Sequence, residues 1–224
     1  MTSLDLGPIW LTLKLAGVTT SLLLLICVPS AWWLTQARTR IRLPLQALVS
    51  MPLVLPPSVI GFYLLLAFSP NHLVGRMLKA GFDVSLAFSF SGLVVGSVLF
   101  SLPFMMNPLI AGFDALPKSL YEAAYVLGKS RRETLLRVLL PNLKPALLTG
   151  AVLAFAHAMG EFGVVLMIGG KIPGRTKVAS IAIYDEVESL KFASANAYAV
   201  CLFALSFAIL LVLLAVNKKI IKPF

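Results

Sequence analysis

Apolar residues form five long runs along this chain, each near the roughly 20 residues that a helix needs to cross a bilayer. The runs cover residues 9–35, 45–68, 86–113, 143–168 and 195–216. Prolines and glycines interrupt several runs, which predicts broken helices whose freed backbone groups are satisfied by neighbouring helices or a water-filled path. The interruptions are Pro52, Pro56, Pro57, Gly61, Pro103 and Pro108. The pattern predicts an all-α polytopic membrane protein with five transmembrane helices.

The composition supports a single membrane unit. Of 224 residues, 59% are hydrophobic and only 12% are charged, whereas about a quarter of a soluble domain is charged. Cys27 and Cys201 lie within apolar runs, where each is expected to pack as a small side chain. The only histidines are His72 and His157, so the chain lacks the ligand clusters of a haem, iron–sulfur or metal site, and no cofactor is expected.

A long charged insert, residues 115–142, separates the third and fourth apolar runs and has the pattern of two short helices. Ser119 followed by Glu122 predicts a capping box at the start of the first helix, because the hydroxyl and the carboxylate each satisfy a free backbone N–H. Gly128 can adopt the left-handed conformation that ends a helix. The first half of the insert is therefore expected to be a helix that stops at a glycine elbow.

The second half of the insert repeats the pattern. Ser130 with Glu133 predicts another capping box, for a helix that runs towards Pro141. Apolar residues accompany several basic ones, which are Lys118, Lys129, Arg131, Arg132 and Arg137. Such a combination favours a docking surface for a soluble partner. An ordinary solvated cytoplasmic loop is the alternative that these residues leave open.

The insert also carries a motif of fixed spacing. Its members are Glu122, Ala123, Ala124, Gly128, Val138, Leu140 and Pro141. With three residues before the glycine and nine after it, the motif resembles that of the permease subunits of binding-protein-dependent ABC importers. Two further stretches, 51–63 and 160–176, resemble the molybdate permeases within that group. The resemblance extends from about Ile9 to the end of the chain.

This resemblance implies a type I ABC importer permease fold in one transmembrane domain over residues 1–224. It implies two copies that form the pathway as a homodimer, two cytoplasmic ABC ATPase subunits and an extracytoplasmic substrate-binding protein. The ATPase-coupling residues would be Glu122, Ala123, Ala124, Gly128, Leu140 and Pro141. Since the chain has no Gly-x-x-x-x-Gly-Lys-Ser/Thr phosphate loop, ATP hydrolysis is expected on a separate subunit, and this chain is expected to be a transport subunit, not an enzyme.

Lysine and arginine predict the orientation, because cytoplasmic loops carry an excess of both. Twelve fall on one side: Arg38, Arg40, Arg42, Lys118, Lys129, Arg131, Arg132, Arg137, Lys144, Lys218, Lys219 and Lys222. Six fall on the other: Arg76, Lys79, Lys171, Arg175, Lys177 and Lys191. The first side is expected to be cytoplasmic in a bacterial plasma (inner) membrane, with the N-terminus outside and the C-terminus inside. The net charge of +10 then reflects topology and attraction to anionic lipid, and no nucleic acid is expected as a partner.

On the external side, the stretch 169–192 is expected to receive the binding protein. It begins with turn-forming glycines and a proline, and residues 178–187 have the apolar spacing of a short interfacial or gating helix. The stretch is longer than a plain helix connection needs to be. A connector without a specific partner is the alternative.

Molybdate is the expected substrate, since the stretches 51–63 and 160–176 resemble the molybdate permeases. Tungstate and sulfate are alternatives, because the resemblance implies that the binding protein does most of the substrate selection. A tetrahedral oxyanion suits a pathway supplied with hydroxyl and backbone donors. The polar residues on or near the apolar runs are Ser50, Ser58, Ser97, Ser101, Asn107 and Thr149. Any of them could instead satisfy helix backbone or pack between helices.

His157 and Glu161 are four residues apart, so they are expected on one helical face inside the fourth run. A carboxylate in the path would repel a dianion, which favours a structural pair that holds an external gate over direct substrate contact. In that role Glu161 would bond His157 or backbone donors near 160–163. The candidates for pathway or gate are Ser58, Asn107, His157 and Glu161. An ion-coupled secondary transporter, using Asp114 with this pair, is the alternative from another class.

Overall fold

The computed structural model describes residues 5–83 and 85–221, and every regular element in that part of the chain is helical. The α-helices are α1 (Gly7–Gln36), α2 (Thr39–Ser50), α3 (Pro57–Phe68), α4 (Leu73–Phe82), α5 (Phe90–Ala115), α6 (Lys118–Val126), α7 (Arg131–Glu133), α8 (Leu140–Asn142), α9 (Lys144–Gly160), α10 (Gly163–Gly169), α11 (Ala179–Glu188) and α12 (Phe192–Ile221). A 3-10 turn, Met51–Leu53, follows α2, and a π-helical segment, Thr134–Leu139, joins α7 to α8. Lys222, counted above on the cytoplasmic side, lies outside the described residues.

Three helices are long and apolar enough to cross a membrane unbroken, namely α1, α5 and α12. Counting each of two bent pairs as one span gives up to five candidate spans among the described residues: Thr39–Leu53 with Pro57–Phe68, bent by 105°, and Arg131–Asn142 with Lys144–Gly160, bent by 78°. The second pair begins within the insert 115–142 and differs from the predicted span 143–168. The first bend falls where prolines remove backbone donors at positions 52, 56 and 57.

The predicted fourth span, 143–168, is not one continuous helix. It divides into α9 and α10 around two non-helical residues, Glu161 and Phe162. A further helix that the apolar pattern does not predict, the ten-residue α4, lies between the second and third spans.

The core forms where α1, α5 and α9 pack together. Its central residues include Leu23, Met105, Leu109 and Leu143, all buried. Gly150 permits this approach, because a Cβ at that position would lie 2.9 Å from the sulfur of Met105. By contrast α12 lies at the periphery, against α9 and α11, with most of its apolar side chains exposed. Such a face suits lipid or a second membrane helix.

The external stretch contains the predicted helix as α11. The turn before it is closed by Thr176, which is fully buried and donates its hydroxyl to the carbonyl of Gly169 at 2.7 Å. The first N–H of α11, on Ala179, donates to Oγ1 of Thr12 in α1 at 2.8 Å. Helix α11 is therefore fixed to the helical core at its N-terminal end.

Candidate coupling surface and pathway site

Helix α6 begins differently from the prediction. The residue before it is Pro117, in an extended conformation, and no side chain caps the helix. Ser119 lies within the first turn instead of ahead of it, so its hydroxyl is not placed to accept from the free N–H groups. The predicted capping box of Ser119 with Glu122 is therefore wrong, because the proline sets the boundary two residues earlier.

The elbow at Gly128 has the predicted left-handed conformation, with φ of +69°. The N–H of Gly128 donates to the carbonyl of Tyr125, and the N–H of Lys129 donates to the carbonyl of Ala124, both at 3.0 Å. These two bonds form a Schellman ending of α6. A Cβ at Gly128 would meet nothing within 4 Å, so glycine is required for the backbone angle and not for space.

The second capping box, at the start of α7, is confirmed. The hydroxyl of Ser130 accepts from the N–H of Glu133 at 3.3 Å, and the carboxylate of Glu133 accepts from the N–H of Ser130 at 3.2 Å. The backbone hydrogen bond from Ser130 is the main reason that the pKa of Glu133 lies below its usual value. Lys129 and Arg137 lie 3.8 and 3.7 Å from the same carboxylate.

The motif residues divide between the packed and the exposed side of the insert. Ala124 is buried, and α6 packs on the π-helical segment. Val138 and Leu140 pack against the core, whereas the side chains of Glu122, Ala123 and Pro141 are exposed. The wide π turn lies just before Pro141, whose missing N–H and bulky ring oppose regular helical bonding at that point.

The outer surface of the insert combines apolar and basic side chains. Val126 is 87% exposed and Leu127 is 75% exposed, and Tyr125 and Leu136 are also open to solvent. The basic side chains of the insert, at positions 118, 129, 131, 132 and 137, are exposed as well. Apolar side chains so exposed on a charged surface indicate a protein-docking site.

The candidate pathway site lies at the break between α9 and α10. Oε2 of Glu161 accepts from the hydroxyl of Ser97 at 2.7 Å, and Nδ1 of His157 lies 2.9 Å from the hydroxyl of Ser101. His157 and Glu161 therefore each bond a serine of α5 and do not bond each other. Helix α9 ends before Glu161, and Ser97 and Ser101 have the same four-residue spacing on α5 as the predicted pair.

A cleft of about 610 Å³ opens at this break. Its lining residues are Pro57, Ser58, Phe100, Ala156, His157, Gly160, Glu161, Phe162 and Gly163. The His157 ring stacks on Phe104 at 4.0 Å between ring centres. Three of the four candidates therefore come together in one cleft, and only Asn107, exposed on α5, lies apart from it.

Other polar candidates have structural roles or lie elsewhere. The hydroxyl of Thr149 donates to the carbonyl of Pro145 in its own helix, and Ser50 ends α2 away from the cleft. Within the described residues, no group of three or more His, Cys, Asp or Glu side chains is placed to hold a metal ion. Cys27 and Cys201 are free thiols.

Ser180, on the first turn of α11, is not among the predicted site residues. Its hydroxyl donates to the backbone carbonyl of Glu161 at 2.7 Å. Nothing local marks this serine, because its partner lies 19 residues earlier on another helix. Two serine hydroxyls therefore hold the break: Ser97 of α5 bonds the side chain of Glu161, and Ser180 of α11 bonds its backbone carbonyl.

Comparisons with known proteins agree with this geometry. Residues 18–222 match the family described as binding-protein-dependent transport system inner membrane component. The molybdenum transport system permease protein ModB of Azotobacter vinelandii is 44% identical over 209 residues, which cover 93% of this chain and 92% of that protein. A sulfate transport system permease protein, CysT of Salmonella typhimurium, is 35% identical over 84% of this chain and 66% of that protein.

Solved structures show the same fold. A bacterial ABC transporter that imports the polysaccharide alginate matches with a TM-score of 0.81 at 19% identity, over 99% of this chain and 82% of that one. The MetNI methionine ABC transporter, in an inward-facing conformation, matches with a TM-score of 0.74 at 16% identity, over 99% of this chain and 100% of that one. The predicted importer-permease fold and the expectation of a transport subunit are confirmed. This chain belongs to the family of inner membrane components of binding-protein-dependent transport systems.

Proposed function

We propose that this chain is the membrane-spanning subunit of an ATP-driven importer of molybdate. The observation that carries the proposal is the 44% identity with a molybdenum permease along almost the full length of both chains. The sulfate relative is less similar and is matched over only 66% of its length, which favours molybdate over sulfate. Tungstate, whose tetrahedral dianion has the same shape and charge as molybdate, is a second substrate of the same site.

In the proposed assembly, two copies of the chain form the pathway within membrane lipid, and two cytoplasmic ABC ATPase subunits bind the insert. The exposed Val126 and Leu127 on a basic surface support the insert as the ATPase site, because they offer apolar anchors beside charges that steer association. The buried Ala124 and the Schellman ending make α6 a rigid projection that can transmit ATPase closure. The motif residues of the insert, Ala124 and Gly128 among them, would therefore couple ATPase closure to the membrane helices.

An extracytoplasmic binding protein delivers the substrate at α11 and the turn before it. Tyr184 and Val187 are about 40% exposed there. The carboxylate of Asp185 lies between two lysines, and the hydrogen bond from Lys177 is the main cause of its lowered pKa. These ion pairs order the charged side of α11, and Lys171 also lies 5.0 Å from the centre of the Tyr184 ring, so a partner would meet both side chains together.

The cleft at the α9–α10 break is the proposed gate region of the pathway. Ser58 supplies a hydroxyl on the first turn of α3, a helix end whose dipole favours an anion. Glu161 has a structural role there, because its carboxyl group is already bonded to Ser97. A carboxylate in direct contact with a dianionic substrate would also repel it.

Substrate choice is tested by the ATPase activity of the reconstituted complex. Binding protein loaded with molybdate or tungstate should stimulate ATP hydrolysis, and binding protein offered sulfate should not. Stimulation by sulfate alone would assign the chain to a sulfate importer instead. If no ATPase subunit co-purifies with the chain, the ion-coupled transporter becomes the better interpretation.

Orientation is tested by single cysteines in a background without Cys27 and Cys201. Cysteines at Arg131, in the insert, and at Arg175, before α11, should react with an impermeant label from opposite sides of the membrane. Both positions are exposed, whereas Lys177 is engaged with Asp185. Reaction of both cysteines from the outside would contradict the proposed topology.

A further inference from the structure

We propose that Ser180, Glu161 and Ser97 form a strut that carries docking of the binding protein at α11 into the pathway. Ser180 and Glu161 would then be positioning residues for opening of the external gate. The inference rests on the proposed function, since it requires a partner that docks outside the membrane. It adds the physical connection between the docking helix and the break in the pathway.

The outer link of the strut is the bond from the Ser180 hydroxyl to the Glu161 carbonyl, 2.7 Å long. That carbonyl lies where α9 has ended and α10 has not begun. A backbone group released by a helix break within the membrane needs a partner from elsewhere. In this chain α11 supplies it, so a displacement of α11 acts directly on the break.

The inner link is the bond from the Ser97 hydroxyl to Oε2 of Glu161. Ser97 is fully buried on α5, and Glu161 is only 5% exposed. The other carboxyl oxygen, Oε1, has no hydrogen-bond partner among the described residues. An unpaired buried oxygen is unfavourable, so a second arrangement of the break in which Oε1 gains a partner would be favoured. The break would then have two states, one with Oε1 unpaired and one with it bonded.

Helix α11 is anchored at its N-terminal end and contacts the break a second time one turn further along. Its N-terminal end is tied to α1 by the bond between Ala179 and Thr12. The ring of Tyr184 lies 5.1 Å from that of Phe162, the second residue of the break. The same Tyr184 is 39% exposed, so a partner that contacts it also presses on the break. Two separate contacts therefore join the docking face to the same two non-helical residues.

The test is Ser180→Ala in the complete complex in proteoliposomes, with ATP hydrolysis measured with and without molybdate-loaded binding protein. Basal hydrolysis should be unchanged, and stimulation should fall roughly five- to tenfold, the change expected from loss of one hydrogen bond. Ser180→Thr retains the hydroxyl and should retain stimulation. Ser189→Ala is the matched control, because Ser189 is exposed at the other end of α11.

A second variant, Ser97→Ala, tests whether the two links act as a unit. If they do, the double variant should lose little more stimulation than the more affected single variant. Wild-type stimulation in Ser180→Ala, equal losses in basal and stimulated hydrolysis, or strictly additive losses would each overturn the strut. A wild-type complex that does not respond to binding protein would instead overturn the proposed function, and the strut with it.

Discussion

Two interruptions of the helices bear on transport, and they are held in opposite ways. The elbow at Gly128 is closed by backbone bonds that span no more than five residues, in open space. The break at Glu161 is closed by side chains from two other helices, 64 and 19 residues away in the chain. A local ending makes a rigid projection whose shape does not depend on its surroundings. A non-local closure makes a joint whose shape depends on the helices around it.

This difference matches what each interruption must do in an importer. In the proposed assembly the elbow presents α6 to the ATPase subunit, so its shape should be the same before and after that partner moves. The break lies beside the cleft with Ser58 and His157, which is the proposed gate region. Bonds between helices can exchange during such a motion, whereas the bonds inside a Schellman ending would be lost only by unwinding α6.

The largest expected effect is that of Glu161→Leu, which removes the acceptor of the Ser97 hydroxyl. An unpaired buried polar group costs roughly 1–3 kcal/mol, and about 1.4 kcal/mol corresponds to tenfold. We expect molybdate uptake into proteoliposomes to fall at least about tenfold. Glu161→Gln keeps an oxygen that can accept from Ser97 and should preserve substantial uptake.

The Gln variant separates shape from charge at the break. If it is inactive while assembly with the ATPase and docking of the binding protein are normal, the negative charge itself is required. Glu161 would then contact an ion or a substrate group directly, and the structural role would be wrong.

The next largest effect is expected at the elbow, from Gly128→Val. Left-handed backbone costs a non-glycine residue about 1–2 kcal/mol, and a β-branched residue more. Since nothing lies near the missing Cβ, the whole effect should come from the backbone angle. Binding of the ATPase subunit, measured by co-purification and titration, should weaken about tenfold. Gly128→Asn is the control, because asparagine tolerates this conformation; equal weakening by Asn and Val would contradict the explanation.

A smaller effect is expected from Gly163→Ala, compared with Gly160→Ala on the other side of the break. A Cβ at Gly163 would lie 2.7 Å from Cβ of Pro57, whereas a Cβ at Gly160 would meet nothing within 4 Å. Overpacking costs about 1–3 kcal/mol, so Gly163→Ala should lower thermal stability and uptake, and Gly160→Ala should leave both near wild type. Equal effects would show that contact between α3 and α10 does not set the break.

The sequence predicted the elbow well because its determinants are local. Gly128 and the Ser130–Glu133 box operate within a few residues, so their types and spacing are sufficient. The Ser119–Glu122 box failed for an equally local reason, since Pro117 competes for the same helix start. Apolar run length likewise located the three unbroken spans, whereas the fourth run is divided at residues 161–162.

The break could be predicted only in part. Proximity of His157 and Glu161 in the sequence suggested one helical face, but their partners on α5 depend on how α5 and α9 pack. Ser180 carries no signal in its own neighbourhood. Its role follows from the position of α11 over the break, which a single sequence does not encode as a local pattern.

The smallest predicted effect compares the real capping box with the failed one. Ser130→Ala removes the acceptor for the N–H of Glu133 and should destabilise the start of α7 by about 1 kcal/mol. Amides at 131–135 should then exchange their hydrogens several-fold faster. Ser119→Ala should change exchange in α6 little, because the Ser119 side chain does not cap that helix.

The effect of pH sharpens this comparison. The pKa of Glu133 is lowered in the folded chain, so its carboxylate stabilises the start of α7 above the ordinary value of 4.5. That contribution is lost as the pH falls through the lower, folded pKa. Protection at 131–135 in the wild type should therefore decline in acid, and the difference from Ser130→Ala should shrink. A difference that stays constant through this range would mean that the Glu133 carboxylate does not take part in the box.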